Sequence, residues 1–309
     1  MLDLLHEPIV GGLANDDSGY VVAVVKFKRE ATGPGQVIDR RGSGGGVGPG
    51  IRTVGIGGGA IGAIIVLLLT LFGGGDPGAL TDVLQPASPV SPESGTIDPN
   101  ANPETDLGAF LEEVLQDTQA MWVGIFEDAG LEYRPTNLVL FEGLTSSGCG
   151  GAQAQVGPHY CPADELVYMD LDFLGELQRR FGAAGDTAQA YILAHEVGHH
   201  VQHVLEITQN VQPGDNQASI ALELQADCFA GVWLSTLRTG SSAAVLEDGD
   251  LQEALDAAAA VGDDAIQSQT SGQVNPESWT HGSSEQRFQW LKQGFDTGTP
   301  SSCDTFSAQ

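Results

Sequence analysis

The stretch Ala190-Tyr191-Ile192-Leu193-Ala194-His195-Glu196-Val197-Gly198-His199-His200-Val201-Gln202 decides how this chain is read. Ile192, Leu193, Val197 and Val201 recur at helical spacing, the pattern of a helix with a buried face. Within it His195, Glu196 and His199 spell H-E-x-x-H. On a helix, residues four apart differ by about 40° in azimuth and about 6 Å in height, so two imidazoles can converge on one ion. Zinc is the metal this pairing most often serves, with the intervening glutamate beside the ion as a base and not as a ligand. His200 lies about 100° off that face and His203 one turn beyond His199, so both read as polar helix residues.

A catalytic zinc takes three protein ligands and keeps one position open. In the extended form of the motif, the positions for the spacing glycine and the third histidine fall on Gln202 and Leu205, so the third ligand must come from elsewhere. Downstream, Ile220-Ala221-Leu222-Glu223-Leu224-Gln225-Ala226-Asp227-Cys228-Phe229-Ala230-Gly231-Val232-Trp233 reads as a second helix with no breaker inside. Glu223 and Asp227 share one face of it. Glu223 is the candidate third ligand, and Asp227 can accept a hydrogen bond from a ligand histidine and fix its tautomer. The bland alternative is two acids on a solvated face.

The net charge of −29 is unevenly placed. Residues 1–53 balance six basic against six acidic side chains, and the acidity falls on residues 73–309. Such a surface repels phosphate backbones, so no nucleic-acid partner is expected. Between the two parts, Val54 to Phe72 is an uncharged run of 19 residues. As a helix it is about 28 Å long, enough for a bilayer core. Arg40, Arg41 and Arg52 precede it, and no Lys or Arg follows until Arg134. The expectation is therefore a single-pass cell-membrane protein held in the lipid bilayer by 54–72, with a cytoplasmic N-terminus and an extracytoplasmic domain.

The four cysteines, Cys149, Cys161, Cys228 and Cys303, all follow that run, which suits disulfides in an oxidising compartment. Of three possible pairings, Cys149 with Cys161 and Cys228 with Cys303 are preferred. The first closes a short Gly-rich loop, and the second ties the tail to the Glu223 helix. A second metal site at Cys149, His159 and Cys161 lacks a fourth ligand at the usual spacing.

The domain reading is then a Gly-rich, disordered cytoplasmic region at 1–53, a transmembrane helix at 54–72, a Pro/Gly/Ser-rich linker at 73–104 and an extracytoplasmic domain at 105–309. In the last, an amphipathic helix opens near Asp106, and Asn137–Phe141 and Glu165–Asp170 read as strands. Residues 173–182, 187–207, 220–238, 243–268 and 284–294 read as helices. The fold class is α+β, mainly helical with a small sheet.

The residues quoted above, with Tyr160-Cys161-Pro162, Val167-Tyr168-Met169-Asp170 and His281-Gly282-Ser283-Ser284-Glu285-Gln286-Arg287, resemble the bacterial family of neutral zinc metallopeptidases. The resemblance runs from about Asp39 to the C-terminus, and residues 1–24 depart from it. It implies a membrane-anchored, zincin-like domain holding one Zn²⁺, with His195, His199 and Glu223 as ligands and Glu196 as the catalytic residue. The expected activity is hydrolysis of peptide bonds in a peptide or protein substrate near the membrane surface. His281, in a Gly-Ser-rich turn, is the candidate donor to the oxyanion or else a structural histidine, and Arg287 a candidate ion-pair anchor. Two rivals remain: a tethered binding or scaffold protein with structural zinc, and a zinc hydrolase of cell-wall peptide links.

Overall fold

The computed structural model describes residues 25–28, 31–41, 95–98, 101–103, 106–142, 144–153, 157–181, 185–212, 214–270 and 272–307. Strands β1 (Lys26–Phe27), β2 (Val37–Asp39), β3 (Asn137–Phe141), β4 (Leu144–Ser147), β5 (Gly150–Gln153), β6 (His159–Cys161), β7 (Leu166–Asp170) and β8 (Ala244–Val245) form three small sheets. The main one has the order β2-β3-β7-β6. β2, β3 and β7 run parallel, with Leu138 opposite Val167, and β6 runs antiparallel to β7. Leu138, Val139, Leu140 and Phe141 are all fully buried, as a strand covered on both faces requires.

Seven α-helices lie among the described residues: α1 (Leu107–Asp128), α2 (Leu171–Phe181), α3 (Asp186–Val204), α4 (Asn216–Thr239), α5 (Asp250–Ala260), α6 (Asp263–Thr270) and α7 (Ser284–Thr297). Their ends follow local chemistry. Asp106 caps α1 by accepting from the Ala109 N–H at 2.9 Å, and Asp215 caps α4 through Ala218 at 3.1 Å. Ser283 and Gln286 form a reciprocal capping box at the start of α7. α4 and α7 approach at backbone distance: a Cβ on Gly294 would lie 1.9 Å from the Cys228 carbonyl oxygen, and one on Gly231 2.1 Å from that of Leu291. Glycine at both positions is what lets α7 deliver Arg287 to the face of α4 that carries Glu223 and Asp227.

The mixed helical α+β class agrees with the sequence reading. Residues 243–268, expected as one helix, are instead β8, α5 and α6, interrupted where Gly249 takes φ 107° and at Val261-Gly262. Part of the N-terminal region expected to be disordered is ordered. β2 is an edge strand of the main sheet, the Val25 N–H donates to Asp186, and β1 pairs with β8. The end of the expected linker also joins the domain, since Gly95 bridges Asp39 and Ile97 is buried.

The expected membrane location is corrected by the same facts. Among the described residues no helix is long and apolar enough to cross a membrane. The run 54–72 that carried the expected transmembrane helix and bilayer contact lies outside those residues. The expected sidedness put residues 1–53 and 105–309 on opposite faces of a bilayer, yet Val37–Asp39 is hydrogen-bonded to Leu138–Leu140 in one sheet. The single-pass assignment, with a cytoplasmic N-terminus and an extracytoplasmic domain, is therefore withdrawn.

Candidate metal centre

α3 and α4 cross where Gly198 meets Ala226; a Cβ on Gly198 would lie 3.1 Å from the Ala226 Cα. That approach brings the His195–His199 face of α3 onto the Glu223–Asp227 face of α4. The ligand atoms of His195, His199 and Glu223 lie within 4.8 Å of one another. His195 Nε2 is 3.3 Å from Glu223 Oε2, and His199 Nε2 is 3.4 Å from Glu223 Oε1. These separations exceed the roughly 2.7–2.9 Å of a charge-assisted hydrogen bond. Each is close to the edge, about 3.4 Å, of a tetrahedron with the roughly 2.0–2.1 Å bonds of zinc to nitrogen or oxygen, although the two imidazoles face different oxygens of Glu223. Two imidazole nitrogens and one carboxylate, spaced in this way, suit zinc.

Each histidine is held from behind through Nδ1, leaving Nε2 for the shared point. His195 Nδ1 lies 2.8 Å from Asp227 Oδ1. Asp227 is fully buried, and Arg287 grips it bidentately, with Nε and Nη2 each at 2.9 Å. The Tyr191 hydroxyl donates to Asp227 Oδ1 at 2.6 Å and accepts from Arg287 Nη2 at 3.2 Å. His199 Nδ1 lies 2.9 Å from Gln202 Oε1.

The electrostatics follow from burial and pairing. Burial pushes the Asp227 carboxyl up, but Arg287 and His195 outweigh it and hold it below the usual carboxylate range. Burial likewise raises Glu223, while the charges of His199 and His281 and the facing imidazoles bring it well below. For His195, burial lowers the imidazole, yet Asp227 and Glu223 raise it to about 9. A bound cation would take the place of that proton.

Glu196 is buried and, with His195, His199, Glu223 and His281, lines one cavity of about 270 Å³. Apolar side chains including Tyr160, Phe173, Ile192, Val261 and Ile266 complete its walls. His281 reaches it from the loop before α7. Asp263 Oδ2 accepts from the backbone N–H groups of Thr280, His281 and Gly282, and Asp263 Oδ1 lies 3.3 Å from His281 Nδ1.

His195, Glu196, His199, Glu223, His281 and Arg287 thus line one cavity, with Asp227 directly behind His195. Both expected disulfides are formed, Cys149–Cys161 and Cys228–Cys303. The first closes the loop carrying Pro158, His159 and Tyr160 along the cavity. His200 is buried among Tyr160, Tyr133 and the Arg134 carbonyl, away from the cluster, and His203 lies 3.5 Å from Glu165. Tyr191, Gln202, Gln225 and Asp263 were not expected as site residues. Of these, Gln202, three residues after His199, and Tyr191, four before His195, carry a local signal, each lying on the ligand face of α3.

The H-E-x-x-H helix, crossed by a second helix bearing a carboxylate and lying beside a small mixed sheet, sits in a mixed helical α+β fold. The chain belongs to the family described as "Putative neutral zinc metallopeptidase", whose sequence model matches residues 26–306. It is 44% identical over 283 residues to "Uncharacterized protein YpfJ" of Escherichia coli K12, covering 87% of this chain and 95% of the relative. It is 48% identical over 187 residues to "Uncharacterized protein Rv2575" of Mycobacterium tuberculosis H37Rv, covering 57% of this chain and 64% of that one. No solved structure matches.

Proposed function

We propose that the chain is a zinc-dependent peptidase that hydrolyses peptide bonds, with one zinc ion held by His195, His199 and Glu223 and with Glu196 as general base. The observation that carries this reading is the convergence of those three donor atoms beside Glu196 on a single cavity. A structural zinc takes four protein ligands. Among the described residues this cluster offers three, which favours chemistry over scaffolding.

The chemistry supplied by a bound zinc is Lewis acidity toward a water molecule and the scissile carbonyl. Glu196, one residue from the ligand His195, accepts the proton of the attacking water and hands it to the leaving amine. Asp227 fixes the His195 ring, and Arg287 keeps Asp227 ionised at full burial. His281, with Nδ1 toward the Asp263 carboxylate, donates from Nε2 in its imidazolium form to the oxygen on which negative charge develops. The apolar walls exclude water and accept side chains of the substrate.

The test compares the purified full chain with Glu196→Gln for zinc content and for cleavage of casein and of a peptide library. The variant is expected to retain zinc and lose about 10²–10⁴-fold in rate, the usual contribution of a general base. Cleavage at the wild-type rate by Glu196→Gln would overturn the mechanism.

A further inference from the structure

We infer that Gln202 and Gln225 are positioning residues for His199, forming a one-way amide relay that begins at the disulfide-anchored C-terminal tail. The inference rests on the reading of His195, His199 and Glu223 as zinc ligands, and names what holds the second of them.

The relay has four links. Gln225 Nε2 donates to the Cys303 carbonyl at 2.9 Å. Gln202 Nε2 donates to Gln225 Oε1 at 3.1 Å and to the Leu222 carbonyl at 2.7 Å. Gln202 Oε1 then faces His199 Nδ1 at 2.9 Å. Both amide ends of a glutamine can bond, and the two cannot be told apart by shape alone. Here the fixed ends settle the direction. Cys303 and Leu222 present backbone carbonyls, which accept and cannot donate, so each glutamine must turn its NH₂ toward them. Gln202 is left with its oxygen toward His199, and Nδ1 must carry the proton. The lone pair of the ring is thereby assigned to Nε2, on the side of Glu223.

The anchors of the relay are firm. Gln202 is fully buried and Gln225 nearly so, and hydrogen bonds are electrostatically stronger in such a low-dielectric setting. Cys303 is bonded to Cys228 on α4, the helix that also carries Glu223 and Gln225. The Thr305 hydroxyl donates to the Ala221 carbonyl at 2.6 Å and pins the tail beyond it.

The test uses the full chain stripped of metal. Zinc affinity is measured by competition with a chromogenic chelator, beside thermal unfolding of the metal-free form. Gln202→Met keeps the length of the side chain and removes both polar ends. It is expected to weaken zinc binding by roughly 10–100-fold, the range for losing the partner behind a ligand histidine. Gln225→Met leaves Gln202 still held by Leu222, and the loss is about fivefold, the equivalent of one neutral hydrogen bond. A folded Gln202→Met with wild-type zinc affinity overturns the relay, whatever its unfolding temperature. Should that variant not fold, the wild type decides. In zinc-loaded chain carrying ¹⁵N-histidine, the His199 Nδ1 proton is expected to be protected from exchange and close to the Gln202 side chain. A rapidly exchanging proton there overturns the inference. A wild-type chain that takes up no zinc overturns the proposed function and the relay together, whereas failure of the glutamine tests in a zinc-binding chain removes the relay alone.

Discussion

The two ligand histidines sit four residues apart on one helix, yet opposite chemistries hold them. His195 leans on a carboxylate that is itself clamped by a guanidinium and a phenol, whereas His199 leans on a chain of neutral amides. Burial explains the division. One buried carboxylate behind His195 is matched by one buried guanidinium, so Asp227 and Arg287 cancel. A second carboxylate behind His199 would have no cation to meet it, and a buried unpaired charge costs several kcal/mol. An amide supplies the same acceptor to Nδ1 without adding charge. The site thus orients two rings without adding charge beyond that of Glu196 and Glu223.

The strongest way to break this comparison is Asp227→Asn. It strands Arg287 at full burial, so unfolding of the metal-free chain in urea should show a loss of about 3–5 kcal/mol. Gln202→Met, on the neutral side, should stay within about 2 kcal/mol of wild type in the same assay. If the two variants lose equal stability, the charged and neutral supports are not energetically distinct. Tyr191→Phe sharpens the charged side: it removes one donor to Asp227, and a loss of roughly 1–2 kcal/mol is expected by thermal unfolding.

A smaller effect tests the same logic at a cluster of acids. Asp186, Asp250 and Glu253 bring carboxylates together, and burial first, then Asp186 and Asp250, raise Glu253 to about 7. Its folded value lies above its unfolded one, so the neutral form is favoured on folding. Stability from this group is full below about pH 4.5 and is lost as pH rises toward 7. Glu253→Gln should therefore raise the unfolding temperature at pH 8 and leave it unchanged at pH 4. Discounted for solvent screening, the gain at pH 8 is roughly 1 kcal/mol. Asp227, with its guanidinium partner, should show the opposite dependence, its contribution lost as pH falls.

What the sequence disclosed about the site was what helical spacing alone can carry. His195 with His199, and Glu223 with Asp227, are both separated by one turn, so each pair declares a shared face without any knowledge of the fold. The partners behind them come from elsewhere: Arg287 arrives on α7, and Cys303 on the tail beyond it. No local pattern joins Gln202 to Gln225, because their bond depends on the crossing of α3 and α4. The same limit explains the fold. Five-residue apolar runs such as Asn137–Phe141 are visible as strands, but Val37–Asp39 is three residues long, and its partners lie about a hundred positions away. The acid-rich 243–268 stretch keeps helical composition throughout, and its interruptions depend on backbone turns that charge and hydropathy do not register.

Gly198 immediately precedes His199 on α3 and lies against Ala226 on the facing helix. The gap that Glu223 must bridge is consequently gauged by backbone against backbone, with no side chain in between to flex. An alanine there would wedge the two helices apart by a few tenths of an ångström. The grip on a cation is thus calibrated by a hydrogen atom, at a position that never touches the cation itself.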